Sequence, residues 1–197
     1  MADAAREERT FTAEEFVKWN LTQEERYELV DGHAVRMMAG ARRGHRRCVT
    51  NVFRILLDQL DGGPCEPTTH DAAIKTGARG TRYADITVEC DGDEFNPQEL
   101  FAIHPRMVVE VLSPTTRYID QTKTLNEYKS LPDLTCIVIV DPEVVFVEVH
   151  LRTGGAWQET LHTTMNAVVD IAEPEIRLPL TKIYRGLEPS PPLKVID

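Results

Sequence analysis

Between Arg106 and Val140 the chain carries two short, nearly all-apolar runs, Arg106-Met107-Val108-Val109-Glu110-Val111-Leu112 and Thr135-Cys136-Ile137-Val138-Ile139-Val140, separated by a helix-like stretch from about Arg117 to Lys129. Runs that are β-branched and apolar at nearly every position read as strands covered on both faces. Strand, helix, strand at this spacing is a βαβ unit, which puts the two strands side by side and parallel.

The flanking sequence fills out a mixed α/β domain. Thr12-Ala13-Glu14-Glu15 is a capping box, and Phe11 and Phe16 stand where a hydrophobic staple requires them, so a helix is expected from about Ala13 to Trp19. Runs from Arg26 to Val30 and from His33 to Met38 flank Asp31-Gly32, the dipeptide suited to a two-residue type I′ hairpin turn. From Arg42 to about Leu60, Val49, Val52, Phe53, Leu56, Leu57 and Leu60 recur at helical spacing, and Gly62-Gly63-Pro64 stops the helix. Further strands are expected over Asp71 to Lys75, Arg82 to Cys90, Val144 to Leu151 and Ala156 to Leu161, with Asp91 to Gln98 as a loop. Residues 1–188 then form one domain, and 189–197, holding Pro189, Pro191 and Pro192, a loose tail.

Composition narrows the classes. A hydrophobic share of 42% is too high for disorder, even at a net charge of −10. The longest apolar run falls far short of the roughly 18 residues of a membrane span, and Met1 to Glu8 is acid-rich, unlike a signal peptide. A cytoplasmic protein without membrane contact is expected. Cys48, Cys65, Cys90 and Cys136 stand singly, which reads as reduced thiols in or near the core. The histidines form no H-E-x-x-H or H-x(3-5)-H pair, which argues against a zinc enzyme.

Two acids sit in strands that otherwise look buried. Glu110 interrupts an apolar run, where an ionised carboxylate costs several kcal/mol unless it is paired, hydrogen-bonded or metal-bound. Asp85 lies beside Ile86 and Val88; alternation puts Tyr83, Asp85, Thr87 and Glu89 on one face and Ala84, Ile86 and Val88 on the other. The plain alternative for each is an arginine partner or a strand end open to water. If the two strands are neighbours, the carboxylates converge on a site of oxygen ligands suited to Mg2+ or Mn2+.

The blocks Arg26-Tyr27-Glu28-Leu29-Val30-Asp31-Gly32, His45 opening a helix, Arg82-Tyr83-Ala84-Asp85-Ile86-Thr87-Val88, Val109-Glu110-Val111-Leu112-Ser113-Pro114-Thr115-Thr116, Asp120, Tyr128 and Val140-Asp141-Pro142 occur in an order that resembles the Uma-type putative restriction endonuclease family of the PD-(D/E)XK nuclease superfamily. The resemblance spans roughly Phe11 to Glu159. It implies a restriction-endonuclease-like α/β (mixed α+β) core, a mixed central sheet flanked by helices, with the N-terminal helix and β-hairpin added. It also implies a divalent-metal-dependent DNA endonuclease that hydrolyses phosphodiesters, with Asp85 and Glu110 as metal ligands for Mg2+ or Mn2+ and Glu28 as a further catalytic acid.

Two positions depart from the family pattern. Ala84 replaces the proline before the first acid, and Leu112 occupies the superfamily's lysine position. In Uma-type members that lysine is shifted to the following helix, at the position of Thr124 here. Lys123, one residue early, and Lys75 are the candidate substitutes. Lys123 enters the expected catalytic set on this ground, against the alternative of a solvated lysine paired with Glu127 one turn on. Losing the lysine removes a preorganised charge worth several kcal/mol of barrier. The competing expectation is therefore a catalytically impaired, nuclease-like nucleic-acid-binding or interaction module.

Arg42, Arg43, Arg46 and Arg47, with His45 among them, crowd an expected helix N-terminus, where the macrodipole disfavours positive charge. Contact with DNA phosphates is the functional reading, and a solvated face is the plain one. Residues 42–82 hold 8 basic and 4 acidic side chains, a local net of +4, so the acidic total excludes only indiscriminate nucleic-acid binding. Ser113-Pro114-Thr115-Thr116 reads as a helix cap. An exposed edge strand at Ala156 to Leu161 would allow a homodimer.

Overall fold

In the computed structural model, which describes residues 9–37, 41–90, 96–113 and 121–191, helix α1 (Ala13–Asn20) leads into strands β1 (Tyr27–Val30) and β2 (His33–Arg36), then into helix α2 (Arg43–Leu60). Strands β3 (Cys65–Thr69), β4 (Ile74–Gly77), β5 (Gly80–Arg82), β6 (Ile86–Cys90) and β7 (Pro105–Val111) follow, then α3 (Gln121–Ser130) and β8 (Cys136–Asp141). The chain closes with β9 (Phe146–Thr153), β10 (Ala156–His162), β11 (Val168–Ile171), β12 (Ile176–Pro179) and the short α4 (Leu180–Ile183).

The capping box forms as expected: the Thr12 side chain accepts the Glu15 amide, while Glu15 accepts the Thr12 amide. Phe11 and Phe16 meet with ring centroids 6.2 Å apart. Asp31 and Gly32 both take positive φ, 51° and 89°, which is what a type I′ turn between β1 and β2 demands.

A six-stranded sheet in the order β10-β9-β8-β7-β6-β3 forms the centre. Strands β7 and β8 pair in parallel, so the βαβ unit is present, while the other pairs in this sheet are antiparallel. Alternation assigns each residue of the central strands to a face. Met107, Val109, Val111, Cys136, Val138 and Val140 pack with α2, α4 and the β11–β12 hairpin. Val108, Ile137, Ile139 and Tyr128 of α3 form a core on the opposite face. Glu110 alternates with Val109 and so belongs to the face that α3 covers. The smaller sheet, β2-β1-β5-β4, sits with α1 around a third apolar cluster that includes Phe11, Phe16 and Leu29.

Several expectations are corrected. The strand expected from Arg82 to Cys90 is two strands, β5 in the small sheet and β6 in the large one, with Tyr83, Ala84 and Asp85 bridging them. The Asp71 to Lys75 strand is displaced to Ile74–Gly77, and β3, β11, β12 and α4 were not anticipated. Cys65 and Cys90, expected as reduced thiols, are joined in a disulfide because the antiparallel β3–β6 register makes them direct partners. Cys48 and Cys136 are free and buried. The expected start of the second βαβ segment, with Asp120 and Pro114-Thr115-Thr116, lies outside the described residues, as do Met1 to Glu8, Met38 and most of the Asp91 to Gln98 loop.

The C-terminal segment is held by polar contacts through the core. Buried Asn51 of α2 donates from Nδ2 to the carbonyls of Ile183 and Arg185, at 2.8 and 2.9 Å, which closes the end of α4. The Tyr184 hydroxyl sits among the carbonyls of Asp141, Val144 and Phe146 and accepts the Phe146 amide. Asn51→Ala leaves one of these carbonyls buried without a donor and is expected to lower the free energy of unfolding by about 1–3 kcal/mol in urea titration. An unchanged midpoint would show that water replaces the lost amide.

Candidate functional site

The antiparallel register that pairs Ile86 with Val109 sets Asp85, one step on, level with Glu110 of the neighbouring strand. Asp85 lies at the break between β5 and β6, and its Oδ2 accepts the Val111 amide at 2.7 Å. The same oxygen lies 3.2 Å from His45 Nε2 at the start of α2. Its Oδ1 lies 3.4 Å from Nδ1 of His70, a residue of the β3–β4 connection with φ of +56°. Burial works against an imidazolium at His45, but the hydrogen bond and charge of Asp85 outweigh it and raise the pKa above the ordinary 6.5.

Glu110 takes a 2.7 Å hydrogen bond from the Tyr128 hydroxyl on its Oε1. Desolvation, then the neighbouring Asp85 charge, push its carboxyl well above the ordinary 4.5; the Tyr128 hydrogen bond pulls the other way. Tyr128 itself is buried and pushed up by burial and by Glu110, so its phenol keeps the proton that it donates. The Asp85 charge thus disfavours ionisation of Glu110. Two adjacent carboxylates in that condition, both oxygen donors, fit a hard divalent cation, which would relieve the repulsion.

Glu28 of β1 belongs to the same neighbourhood. Its Oε2 accepts from Arg82 Nη1 at 2.8 Å, and its Oε1 lies 3.4 Å from the Tyr83 amide. Burial raises its pKa, the charge and hydrogen bond of Arg82 oppose that rise, and its own charge adds to the upward push on Glu110. The guanidinium of Arg82, 2% exposed, also donates from Nε and Nη2 to Glu127 of α3, at 2.7 and 3.1 Å. Glu28 and Asp85 are therefore both near enough for their charges to act on Glu110. Arg82, Tyr128 and His70 complete the cluster without having been assigned a role from sequence.

The lysines stand elsewhere. Lys123 Nζ donates to Asp31 Oδ2 at the tip of the β1–β2 hairpin, 2.6 Å away, and Glu127 is taken by Arg82. Lys75 is paired with Glu14 of α1. Thr124, half-buried, lies one helical turn before Tyr128 and so shares its face. The hydrogen-bond partners found for Lys123 and Lys75 are thus Asp31 and Glu14, not Asp85 or Glu110.

Helix α2 reaches this cluster through His45, so its basic first turns lie beside Asp85. Arg42, Arg43, Arg46 and Arg47 are all exposed, and no acid occupies the first turn. Arg42 makes a surface ion pair with Glu143 at 2.9 Å, an interaction worth about 0–1 kcal/mol. At 100° per residue the four arginines cover about 140° of the helix surface.

Comparison with known proteins gives a family and a shared fold. The model of the Uma2 family, described as putative restriction endonuclease, matches residues 13–181. Two uncharacterized proteins of Synechocystis sp. (strain ATCC 27184 / PCC 6803 / Kazusa) are similar. One, slr1290, is 27% identical over 88% of this chain and 91% of its own length; the other, sll1609, is 23% identical over 82% and 92%. A crystal structure from Anabaena variabilis ATCC 29413, described as a putative nuclease belonging to DUF820, shares the fold with a TM-score of 0.71. It is 17% identical and covers 88% of this chain and 97% of that one.

The raised Glu110 carboxyl has a measurable consequence in metal-free protein. Because the unfolded chain releases this proton near pH 4.5 while the folded chain retains it to higher pH, folding stability falls as pH rises above that value. In EDTA, Glu110→Gln is expected to gain stability over the unmodified protein progressively as the pH is raised above 4.5. A gap in urea midpoints that stays constant as the pH is raised would contradict the assignment.

Proposed function

The chain belongs to the Uma2 family of putative restriction endonucleases, and on that footing we propose that it is a DNA endonuclease that depends on a divalent cation, Mg2+ or Mn2+, held by Asp85 and Glu110. The observation that carries the reading is the meeting of these two carboxylates from neighbouring strands, with Asp85 counted among the causes of the raised Glu110 pKa. When bound, such a cation supplies positive charge to the scissile phosphate and lowers the pKa of a water. The chain's own groups do the remaining work. Val111 and His45 hold Asp85, and Tyr128 fixes the orientation of Glu110 through its hydroxyl. Glu28, held by Arg82, adds negative charge next to Glu110 and offers a carboxylate to orient water. The arginines of α2 meet the phosphate backbone beside the acidic pair, and their positive charge offsets the repulsion that the carboxylates exert on DNA.

Nicking of supercoiled plasmid in Mg2+ or Mn2+ tests the reading. Asp85→Ala and Glu110→Ala should each abolish cleavage, and cleavage that survives both substitutions would refute it.

A second reading, a nuclease-like module impaired in catalysis, is favoured by one observation: Lys123 and Lys75, the candidate substitutes for the lysine whose place the resemblance gives to Thr124, are paired with Asp31 and Glu14. It expects DNA binding with little turnover. Under it, Thr124→Lys should raise the nicking rate by about 10²-fold, the usual worth of one preorganised charge. Robust cleavage by the unmodified protein, with no gain from Thr124→Lys, would exclude it.

A further inference from the structure

A second polar cluster lies on the same face of the large sheet, two strands from the first. The register pairs Glu110 with Ile139 and Ile139 with Glu148, so Glu148 sits about 10 Å from the Glu110 row at ordinary strand spacing. His150 follows Glu148 by two residues and shares its face, and Glu159 of β10 is the direct cross-strand partner of His150. One donor atom from each of Glu148, His150 and Glu159 lies within 4.8 Å of the others.

The state of His150 is what needs explaining. Its side chain is 1% exposed, and its Nε2 lies 2.6 Å from Glu148 Oε1. A carboxylate accepts, so that contact places the ring proton on Nε2 and leaves Nδ1 of a neutral imidazole as a bare lone pair. Nδ1 is buried and has no hydrogen-bond partner among the described residues; Glu159 Oε2 is 3.9 Å away. A buried acceptor left without a donor is unfavourable, and Glu159 cannot supply a proton while ionised. A histidine that donates one ring N–H to a carboxylate and turns the other nitrogen toward a second carboxylate has the arrangement of a metal-ligating imidazole with its orienting partner.

We propose that His150 Nδ1 and Glu159 bind a first-row divalent transition-metal ion, Zn2+ above all, with Glu148 positioning the ring. The mixed nitrogen and oxygen donors separate this site from the all-oxygen pair Asp85 and Glu110, which suits Mg2+. The carboxylates of Glu148 and Glu159 flank the ring with negative charge that a divalent cation offsets. Glu159 is 64% exposed, so the ion has a path from solvent, and water completes its coordination. Bridging β9 to β10, the ion clamps the outermost hairpin of the sheet. The site stands independently of the nuclease reading.

The test uses the full chain carrying Asp85→Asn and Glu110→Gln, which disables the first site. Equilibrium dialysis against Zn2+ is expected to leave one equivalent bound and to raise the thermal unfolding midpoint. Glu159→Gln, at an exposed position that leaves the fold intact, should remove both effects. Glu148→Gln should weaken binding by about 10–100-fold, the usual cost of losing an orienting partner. No Zn2+ on the doubly substituted protein, or equal affinity after Glu159→Gln, overturns the proposal.

Discussion

The guanidinium of Arg82 is the contact on which the arrangement of the site depends. It is almost fully buried and joins β5 to β1 through Glu28 and to α3 through Glu127. Burial opposes its charge, but the hydrogen bonds and charges of the two acids more than compensate and hold its pKa above the ordinary arginine value. The fork geometry of arginine matters here, since Nε and Nη2 grip Glu127 while Nη1 remains for Glu28; an ammonium could not divide itself in this way. Glu127 and Tyr128 are consecutive on α3, so the grip on one sets the rotation and height of the helix that brings the other's hydroxyl to Glu110. Taking one member of such a buried set away typically costs about 3–5 kcal/mol, because the others keep their charges without a partner.

Charge is distributed around that fixed point in opposing blocks. On one side stand Glu28, Asp85 and Glu110; on the other, the first turns of α2 add arginine side chains to the positive end of a helix dipole. Helix α2 tolerates this because its far larger investment is apolar: Cys48, Val49, Val52, Ile55, Leu56 and Leu60 are buried in the main core. His45 is the residue at which the two blocks touch. On the proposed reading, a phosphate drawn to the basic block is repelled by the carboxylates of the other, and a bound cation would offset that repulsion.

Much of this was legible in the sequence, for local reasons. The capping box, the Asp-Gly hairpin and the βαβ unit are encoded by residues that act within a turn or a strand, and the structure contains each. Asp85 and Glu110 stood out because acids in apolar surroundings need a reason, whereas Glu28 entered only through the family resemblance. What was missed is long-range or lies at edges. Strand β3 contains Pro67 and has only one buried position, so its pattern is weak, as an edge strand's can be. The run from Arg82 to Cys90 looked continuous because alternation cannot show that Tyr83 to Asp85 cross from one sheet to another. The β11–β12 hairpin is only four residues a side, though Val169, Ile171, Ile176 and Leu178 alternate in the way buried strands do. Lys123 was weighed against Glu127 at helical spacing; its partner, Asp31, is 92 residues away.

The disulfide between Cys65 and Cys90 closes a covalent ring whose circumference includes His70, Arg82 and Asp85. Three groups of the site therefore share one loop that keeps its connectivity even if a peptide bond within it is cut. The ring is also closed at the outer side of the sheet, where β3 pairs with no further strand among the described residues. Fraying from that side is limited by a covalent bond between the last two strands, so the segment leading from β3 to Asp85 stays tethered to the strand that carries on to Glu110.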